Sequence, residues 1–150
     1  MTDSDQNAKL LRELCACQRL AVLATDAGIG PYASLVAIAV TPDLHQIYFA
    51  TSRATRKWAN LTGNHQVALL VDNRSNQDVD FRQGAAATIL GIAEELQGDD
   101  QAAGEKLYLA RHPHLAEFVR EPNCALFRVQ VTGISLVTGF QKVENFNFSD

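Results

Sequence analysis

Short apolar segments separated by tight turns recur along the chain, and this pattern limits the possible folds more than any other feature. In one of these segments Phe127, Val129 and Val131 alternate with polar residues, as in a strand that buries one face. Strands are predicted on this basis at 20–25, 32–40, 46–51, 67–71, 87–96 and 127–132. Because few helices separate consecutive strands, the sequence predicts a mainly β fold, a six-stranded antiparallel barrel rather than a parallel α/β sheet.

Helices are predicted at the periphery of this barrel. An N-terminal helix is expected at about 4–18, a short polar helix at about 55–62 and a helical insert at about 98–120. No repeat or Pro/Ser-rich linker divides the chain, so we expect a single domain over residues 1–150.

Composition excludes several classes of protein. With 150 residues, of which 47% are apolar, the chain can bury a core without disulfides or metals. A net charge of −4 argues against a nucleic-acid binder that works through global charge. No apolar run approaches the ~20 residues of a membrane helix, and the acidic start lacks the pattern of a signal peptide. Three cysteines without such a signal indicate reduced thiols in the cytoplasm.

One basic segment interrupts this acidic chain. No acidic residue lies between positions 43 and 72, although 17 of the 150 residues are acidic. Within that window Arg56 and Lys57 follow Thr55, and either Thr55 or Ser52 can cap a helix that begins there. Cations in the first turn of a helix are locally unfavourable, because that end already carries a partial positive charge.

A bound anion would remove this local penalty. The side chains of Arg56 and Lys57, the free N–H groups at the helix start and the hydroxyls of Thr51 and Ser52 are donors that a phosphate accepts. The alternatives are a solvated basic turn and a contact with a nucleic-acid backbone. A single short cluster would bind a nucleic-acid strand weakly, so a small phosphorylated ligand is favoured over a nucleic acid.

Other motifs carry less chemical information. His112-Pro113-His114 has no third metal ligand at a recognisable spacing, so surface histidines are expected there. Glu94 and Glu95 point to opposite faces of a strand and cannot act as a pair. The sequence Gly28-Ile29-Gly30-Pro31 predicts a hairpin turn. No serine or cysteine has a readable base partner, so the sequence identifies neither a catalytic residue nor a metal ligand.

Several short motifs occur in a fixed order along the chain. They are Pro31-Tyr32-Ala33-Ser34-Leu35-Val36, Ile47-Tyr48-Phe49-Ala50-Thr51-Ser52, Thr55-Arg56-Lys57, Asn60-Leu61, Asn64 and Val67-Ala68-Leu69-Leu70-Val71. This ordered set resembles the pyridoxamine 5′-phosphate oxidase-like flavin-binding family. The resemblance covers residues 18–96 and, less closely, the strand at 124–137.

The resemblance implies a split β-barrel that forms a homodimer, with one FMN at each end of the subunit interface. By position, Arg56 and Lys57 resemble the family's phosphate-binding pair, and Thr51 resembles its hydroxyl donor at the end of a strand. The family's strand whose backbone lies along the flavin ring matches Ser34, Leu35 and Val36.

Departures from the family pattern bear on the activity. Ser34 stands where family oxidases have an arginine, and Asn73 stands where they have a tryptophan. A glutamine that contacts the flavin across the interface falls near Ala86. The C-terminal Arg-His segment that holds pyridoxal phosphate in true oxidases has no counterpart. We therefore do not expect this chain to make pyridoxal phosphate.

The function implied by the resemblance is that of an FMN-dependent oxidoreductase acting on an unidentified small molecule. Alternatives on the same barrel are a non-catalytic flavin- or haem-binding protein and a deazaflavin-dependent reductase. Haem is less favoured, because related barrels that open haem use a histidine near the C-terminus and none follows His114.

A second feature of the sequence also favours a dimer. A six-stranded barrel of this size is expected to leave an apolar flank uncovered. In the polar C-terminal tail, Phe140, Phe146 and Phe148 would pack either on a partner subunit or on their own barrel.

Overall fold

Eight strands of the described residues, 2–139 and 142–148, form one antiparallel sheet in this computed structural model. The strands are β1 (Leu20–Thr25), β2 (Tyr32–Ala37), β3 (Ala39–Val40), β4 (Gln46–Ser52), β5 (Gln66–Asp72), β6 (Ala85–Glu95), β7 (Cys124–Thr138) and β8 (Lys142–Asn147). The helices are α1 (Asp3–Cys17), α2 (Arg56–Gly63), α3 (Asp80–Gln83), α4 (Gly98–Arg111) and α5 (Ala116–Arg120), with a 3₁₀ turn at Pro113–Leu115. No helix in this part of the chain is long and apolar enough to cross a membrane.

The sheet closes into a barrel through one interrupted strand. The strand order is β2-β1-β5-β6-β7-β4-β3, and β2 and β3 are consecutive parts of one segment separated by Ile38. β2 pairs with β1, whereas β3 pairs with β4, so the two ends of the sheet meet in this segment. Six strands therefore close the barrel when β2 and β3 are counted as one, and the predicted fold class is confirmed.

The barrel is split beside β2. At the break, the Ile38 N–H donates to the Arg19 carbonyl over 3.0 Å, which directs the first half of the segment toward β1. In the described pairings β2 bonds only to β1, and the last residues of β4 bond only to β7. One edge of β2 is consequently open, opposite the end of β4 from which α2 begins.

The interior of the barrel is a conventional apolar core. Leu23, Leu69 and Val129, on three different strands, are fully buried, and the rings of Phe49 and Phe127 stack with their centroids 5.3 Å apart. Burying a side chain of this size stabilises the fold by roughly 1.5–3 kcal/mol relative to leaving it exposed. The core therefore holds the strand ends in place.

The helical insert packs against the break in the barrel. From α4 the Tyr108 hydroxyl donates to the Ala37 carbonyl over 2.9 Å, and His112 Nε2 lies 2.7 Å from the Ile38 carbonyl. The prediction of two surface histidines is wrong for His112, which is 1% exposed, and right for His114, which is exposed. The error arose because the partner of His112 lies 74 residues away in sequence.

Strand β8 was not predicted. It pairs with β7, and Phe146 and Phe148 pack against the core of their own barrel. The tail is therefore fixed within its own subunit at these two residues, whereas Phe140 lies outside the described residues. A second difference concerns β5, because the uninterrupted apolar run at 67–71 predicts a strand that is buried on both faces. In the structure its side chains alternate, and Ala68 and Leu70 are only half-buried on the outer face of the sheet.

Candidate functional site

The basic segment begins α2 as the sequence predicts, with Thr55 as the capping residue. Thr55 has an extended backbone, with φ −96° and ψ 155°, and its hydroxyl accepts the N–H of Trp58 over 3.2 Å. Arg56 and Lys57 are thus the first two residues of the helix, and no acidic residue occupies its first turn. The positive end of the helix dipole and two cationic side chains coincide at this point.

Two backbone donors remain free at the start of α2. The cap satisfies the N–H of Trp58, and the N–H of Ala59 donates to the Thr55 carbonyl. Within the described residues, the N–H groups of Arg56 and Lys57 have no acceptor. Free N–H groups at a helix N-terminus bind an anion well, because they point along the axis and donate to it.

The two hydroxyls predicted for this site have different surroundings. The Thr51 hydroxyl is buried and lies 3.0 Å from that of Thr55, which itself donates to the Ser52 carbonyl over 2.8 Å. Thr51 therefore donates to the cap. The Ser52 hydroxyl oxygen accepts from Ala54 N–H and from the Asn123 side chain, at 3.2 Å and 3.3 Å. Its own hydrogen stays available for an external acceptor.

Arg53 does not join the pair of cations in α2. Its guanidinium lies 2.7 Å from a carboxylate oxygen of Glu95 and also donates to the carbonyls of Pro122 and Cys124. The other oxygen of Glu95 accepts the indole N–H of Trp58 over 3.1 Å. This Arg53–Glu95–Trp58 clamp joins the start of α2 to the ends of β6 and β7.

The clamp depends on an ionised carboxylate. Burial alone would raise the pKa of Glu95, but the hydrogen bonds from Arg53 and Trp58 and the charge of Arg53 outweigh it, so the pKa is lowered. Arg56 and Lys57 differ from Arg53, because neither forms an ion pair with any described acidic residue.

Arg56 reaches the open strand. Its guanidinium carbon lies 4.7 Å from the centroid of the Tyr32 ring, which is a cation–π contact. Tyr32 is the first residue of β2, so this contact joins the start of α2 to the open edge of the barrel. Tyr32 belongs to the Pro31-Tyr32 motif, but the motif alone does not indicate its contact with Arg56.

The three residues predicted on β2 alternate between its two faces, with Ser34 and Val36 on one side and Leu35 on the other. Leu35 is 65% exposed on the outer face of the sheet, and Val36 points into the core. Ser34 is half-buried on the same side as Tyr32, and its hydroxyl oxygen is buried without a hydrogen-bond partner. Ser34 can therefore offer a ligand its hydroxyl. The backbone N–H and C=O of Leu35 face the open edge, whereas those of Val36, like the N–H of Ile38, face β1.

Two further contacts fix the position of α2. The Asn60 side chain donates to the hydroxyl of the buried Thr25 over 3.1 Å, and Asn64 donates to the Asp26 carbonyl over 2.8 Å. Asp26 also accepts the N–H groups of Gly28 and Gly30, which confirms the predicted hairpin turn between β1 and β2. The helix and the open strand are thus attached to the same turn.

The weaker motifs form no second reactive centre. Glu94 pairs with Arg128 on the face opposite to Glu95, as predicted from their spacing. All three cysteines are free, and burial raises the pKa of Cys15 to about 11, so this thiol is protonated at neutral pH. The described residues contain no group of three or more side chains suited to a metal ion.

Glu95→Gln tests the clamp. At neutral pH we expect a loss of about 1–2 kcal/mol of unfolding free energy, because Arg53 loses its charged partner. The folded-state pKa of Glu95 lies below the ordinary 4.5, so its ionised form stabilises the fold above that pH. This stabilisation is lost as the pH falls through the folded-state pKa. Urea denaturation should therefore show that the difference between wild type and variant shrinks in acid.

Glu94→Gln is the matched control, because it changes the neighbouring carboxylate in the same way. Its pair with Arg128 is more exposed, with 57% of the Glu94 side chain accessible, and it should cost less than about 1 kcal/mol. Equal losses for both variants, or a loss at Glu95 that does not change with pH, would contradict the clamp.

Comparison with known proteins identifies the family. The family model described as pyridoxamine 5′-phosphate oxidase matches residues 8–138 of the chain. No curated protein sequence matches this chain significantly.

Solved structures show the same fold at low sequence identity. A heme-binding protein from Mycobacterium smegmatis is similar with a TM-score of 0.80 and 19% identity, over 91% of this chain and 55% of that one. This chain thus spans little more than half of that protein. An FAD-binding protein from Mesorhizobium loti has a TM-score of 0.67 and 15% identity, over 91% and 94% of the two chains.

A third similar structure comes from Clostridium acetobutylicum and is described as related to general stress protein 26 of Bacillus subtilis, in the pyridoxinephosphate oxidase family. Its TM-score is 0.75 at 15% identity, over 96% of both chains. These likenesses confirm the split-barrel fold. Together with the family model, which matches most of the chain, they establish that this protein belongs to the pyridoxamine 5′-phosphate oxidase family.

Proposed function

We propose that this protein is an FMN-dependent oxidoreductase acting on a small molecule, with the FMN phosphate bound at the start of α2. The observation that carries the proposal is the arrangement of Arg56 and Lys57. They occupy the first two positions of a capped helix, with two free backbone N–H groups and no acidic partner among the described residues. Without an anion these charges repel one another and the helix dipole, and a phosphate removes that repulsion.

The surrounding residues fit the rest of an FMN molecule. The Ser52 hydroxyl can donate to the phosphate, and the buried Ser34 hydroxyl on β2 lacks a partner until a ligand supplies one. The open edge of β2 presents backbone N–H and C=O groups that match the polar edge of a flavin ring. Tyr32 joins the two halves of this site through its contact with Arg56.

Bound FMN would supply the hydride or electron transfer that the protein's own side chains cannot provide. The role of the chain is then to bind and orient. Arg56 and Lys57 hold the phosphate, Thr51 keeps the cap in place, and β2 aligns the ring. These binding roles agree with the sequence, in which no residue is identified as catalytic. The three free cysteines agree with a cytoplasmic location.

A homodimer completes this proposal, because the outer face of the sheet is apolar. Leu20, Leu35, Leu90 and Ile92 are 55%, 65%, 51% and 43% exposed. They lie on β1, β2 and β6, and the half-buried residues of β5 fill the space between these strands. A contiguous apolar surface of this kind is typical of an interface between subunits.

Strand β2 connects the apolar outer face of the sheet to the proposed cofactor site. The Leu35 side chain points to the outer face, whereas its neighbour Ser34 points toward Tyr32. A second copy seated on the outer face would therefore lie next to the open edge of β2. The start of α2 is open to solvent in one chain, and a partner subunit would supply the missing wall.

Haem is the second candidate ligand, favoured by the similarity to the heme-binding protein from Mycobacterium smegmatis. None of the four histidines lies at the start of α2. His112 is bonded to the Ile38 carbonyl with His114 beside it, and the His45 ring packs against Phe148 before the start of β4. The exposed His65 follows the other end of α2, after Gly63. Titration with haemin should therefore give no sharp Soret band.

A deazaflavin cofactor is a variant of the main proposal, because its tail also carries phosphate.

Lys57→Gln tests the phosphate site by comparing FMN with riboflavin, which has the same ring and no phosphate. Wild-type protein should bind FMN at least ~100-fold more tightly than riboflavin, because charge-assisted hydrogen bonds to the phosphate are lost with riboflavin. The variant should lose most of this preference and keep its affinity for riboflavin. Quenching of flavin fluorescence measures both affinities.

Lys106→Gln, on the exposed surface of α4, is the control for a general effect of charge. It should leave the preference for FMN unchanged. Equal weakening of FMN and riboflavin by Lys57→Gln would place the phosphate elsewhere. A wild type that binds neither compound would reject the proposed function.

Leu90→Asp tests the dimer. A charge in the middle of the apolar face should give a monomer in sedimentation analysis, and it should weaken FMN binding although Leu90 lies on β6, away from its own α2. Ile29→Asp is the control, because Ile29 is 80% exposed at the tip of the hairpin turn and outside that face. A Leu90→Asp protein that stays dimeric, or a monomer with unchanged FMN affinity, would contradict the shared site.

A further inference from the structure

A second group of basic side chains lies between α1, the β3–β4 turn and α4. A cavity of about 260 Å³ opens there, with Arg12 and Arg111 at its rim. Its other walls are mainly apolar and include Cys15, Val40, Pro42 and Leu44. None of these residues belongs to the α2 site or to the apolar outer face of the sheet. The sequence alone does not indicate this pair, because Arg12 and Arg111 are distant from each other in the chain.

The two guanidinium groups have charge available for a ligand. Among the described residues, neither Arg12 nor Arg111 forms an ion pair with a carboxylate. One amino group of Arg111 donates to the Gln18 carbonyl over 2.9 Å, which fixes the position of its side chain. Acidic residues next to the lining are engaged elsewhere: Glu13, beside Arg12, pairs with Lys9, and Asp43, beside Pro42, accepts from Thr41 and His45.

Two guanidinium groups on one cavity, neither paired with a described carboxylate, are unexpected in a chain with a net charge of −4. Like charges on a common cavity repel one another unless an anion is bound.

The apolar floor of the cavity favours a ligand with an apolar part. Leu44 is 8% exposed and Cys15 is 3% exposed, and the raised pKa of Cys15 keeps its thiol uncharged. The volume is close to the lower end of the ~300–1,000 Å³ typical of small-molecule pockets. Inorganic phosphate would leave this floor without a partner, whereas a carboxylate on a small ring or chain would contact both the floor and the arginines.

We propose that this cavity binds a small carboxylate with an apolar body, with Arg12 and Arg111 holding the carboxylate and the floor contacting the apolar part. A planar carboxylate suits a guanidinium, which can donate two parallel hydrogen bonds to it. The site is separate from the flavin site, and its occupancy does not require a bound flavin.

Benzoate is a suitable probe, and benzamide is its uncharged counterpart of the same shape. In a two-dimensional amide NMR titration of the full chain, benzoate should shift the signals of the second half of α1, the β3–β4 turn and the end of α4. Benzamide should cause much smaller shifts in the same signals. Arg12→Gln should weaken benzoate binding about tenfold or more, because one charged donor is lost.

Two further variants separate binding from folding. Ala16→Leu changes no charge and fills the cavity from the exposed side of α1, so it should abolish the benzoate shifts in a folded protein. Arg82→Gln, on exposed α3, is the control for loss of a positive charge and should bind benzoate like the wild type. Equal shifts with benzamide, or benzoate binding that neither Arg12→Gln nor Ala16→Leu weakens, would overturn the proposal.

Discussion

The break at Ile38 determines which edge of this barrel stays open. A continuous strand at this position could pair with both neighbours, and the barrel would close without an opening. Instead β2 pairs with β1 and β3 pairs with β4, which leaves one edge of β2 open. The break is held from outside the sheet, because Tyr108 of α4 and His112, which follows α4, bond to the carbonyls of Ala37 and Ile38. The helical insert thereby supports a site that it does not line.

Charge is placed at this opening by local and by distant interactions. The local part is the Thr55 cap, which begins α2 at Arg56 and leaves two N–H groups free. The distant part is the clamp in which Glu95 binds Arg53 and Trp58 and so fixes the helix against β6 and β7. One acidic residue is thus used to hold the scaffold, and the two cations at the helix start remain without acidic partners in the described chain.

The sequence was sufficient for features with a local cause. Alternating apolar residues predicted the barrel strands, and the basic window with Thr55 predicted the start of α2. The sequence was insufficient for residues whose contact partner is distant in the chain. The separation of Arg53 from Arg56 depends on Glu95, 42 residues away, and the burial of His112 depends on Ile38. Strand β8 was missed because its residues are mostly polar, so that pairing with β7 rather than periodicity defines it.

Native mass spectrometry of the purified protein tests the central claim most directly, because it reports subunits and bound small molecules together. The predicted result is a mass of two chains carrying up to two molecules of FMN, with FMN identified after release. A single chain without a flavin, or a complex that contains haem in place of a flavin, would contradict the assignment of the α2 site to a flavin phosphate.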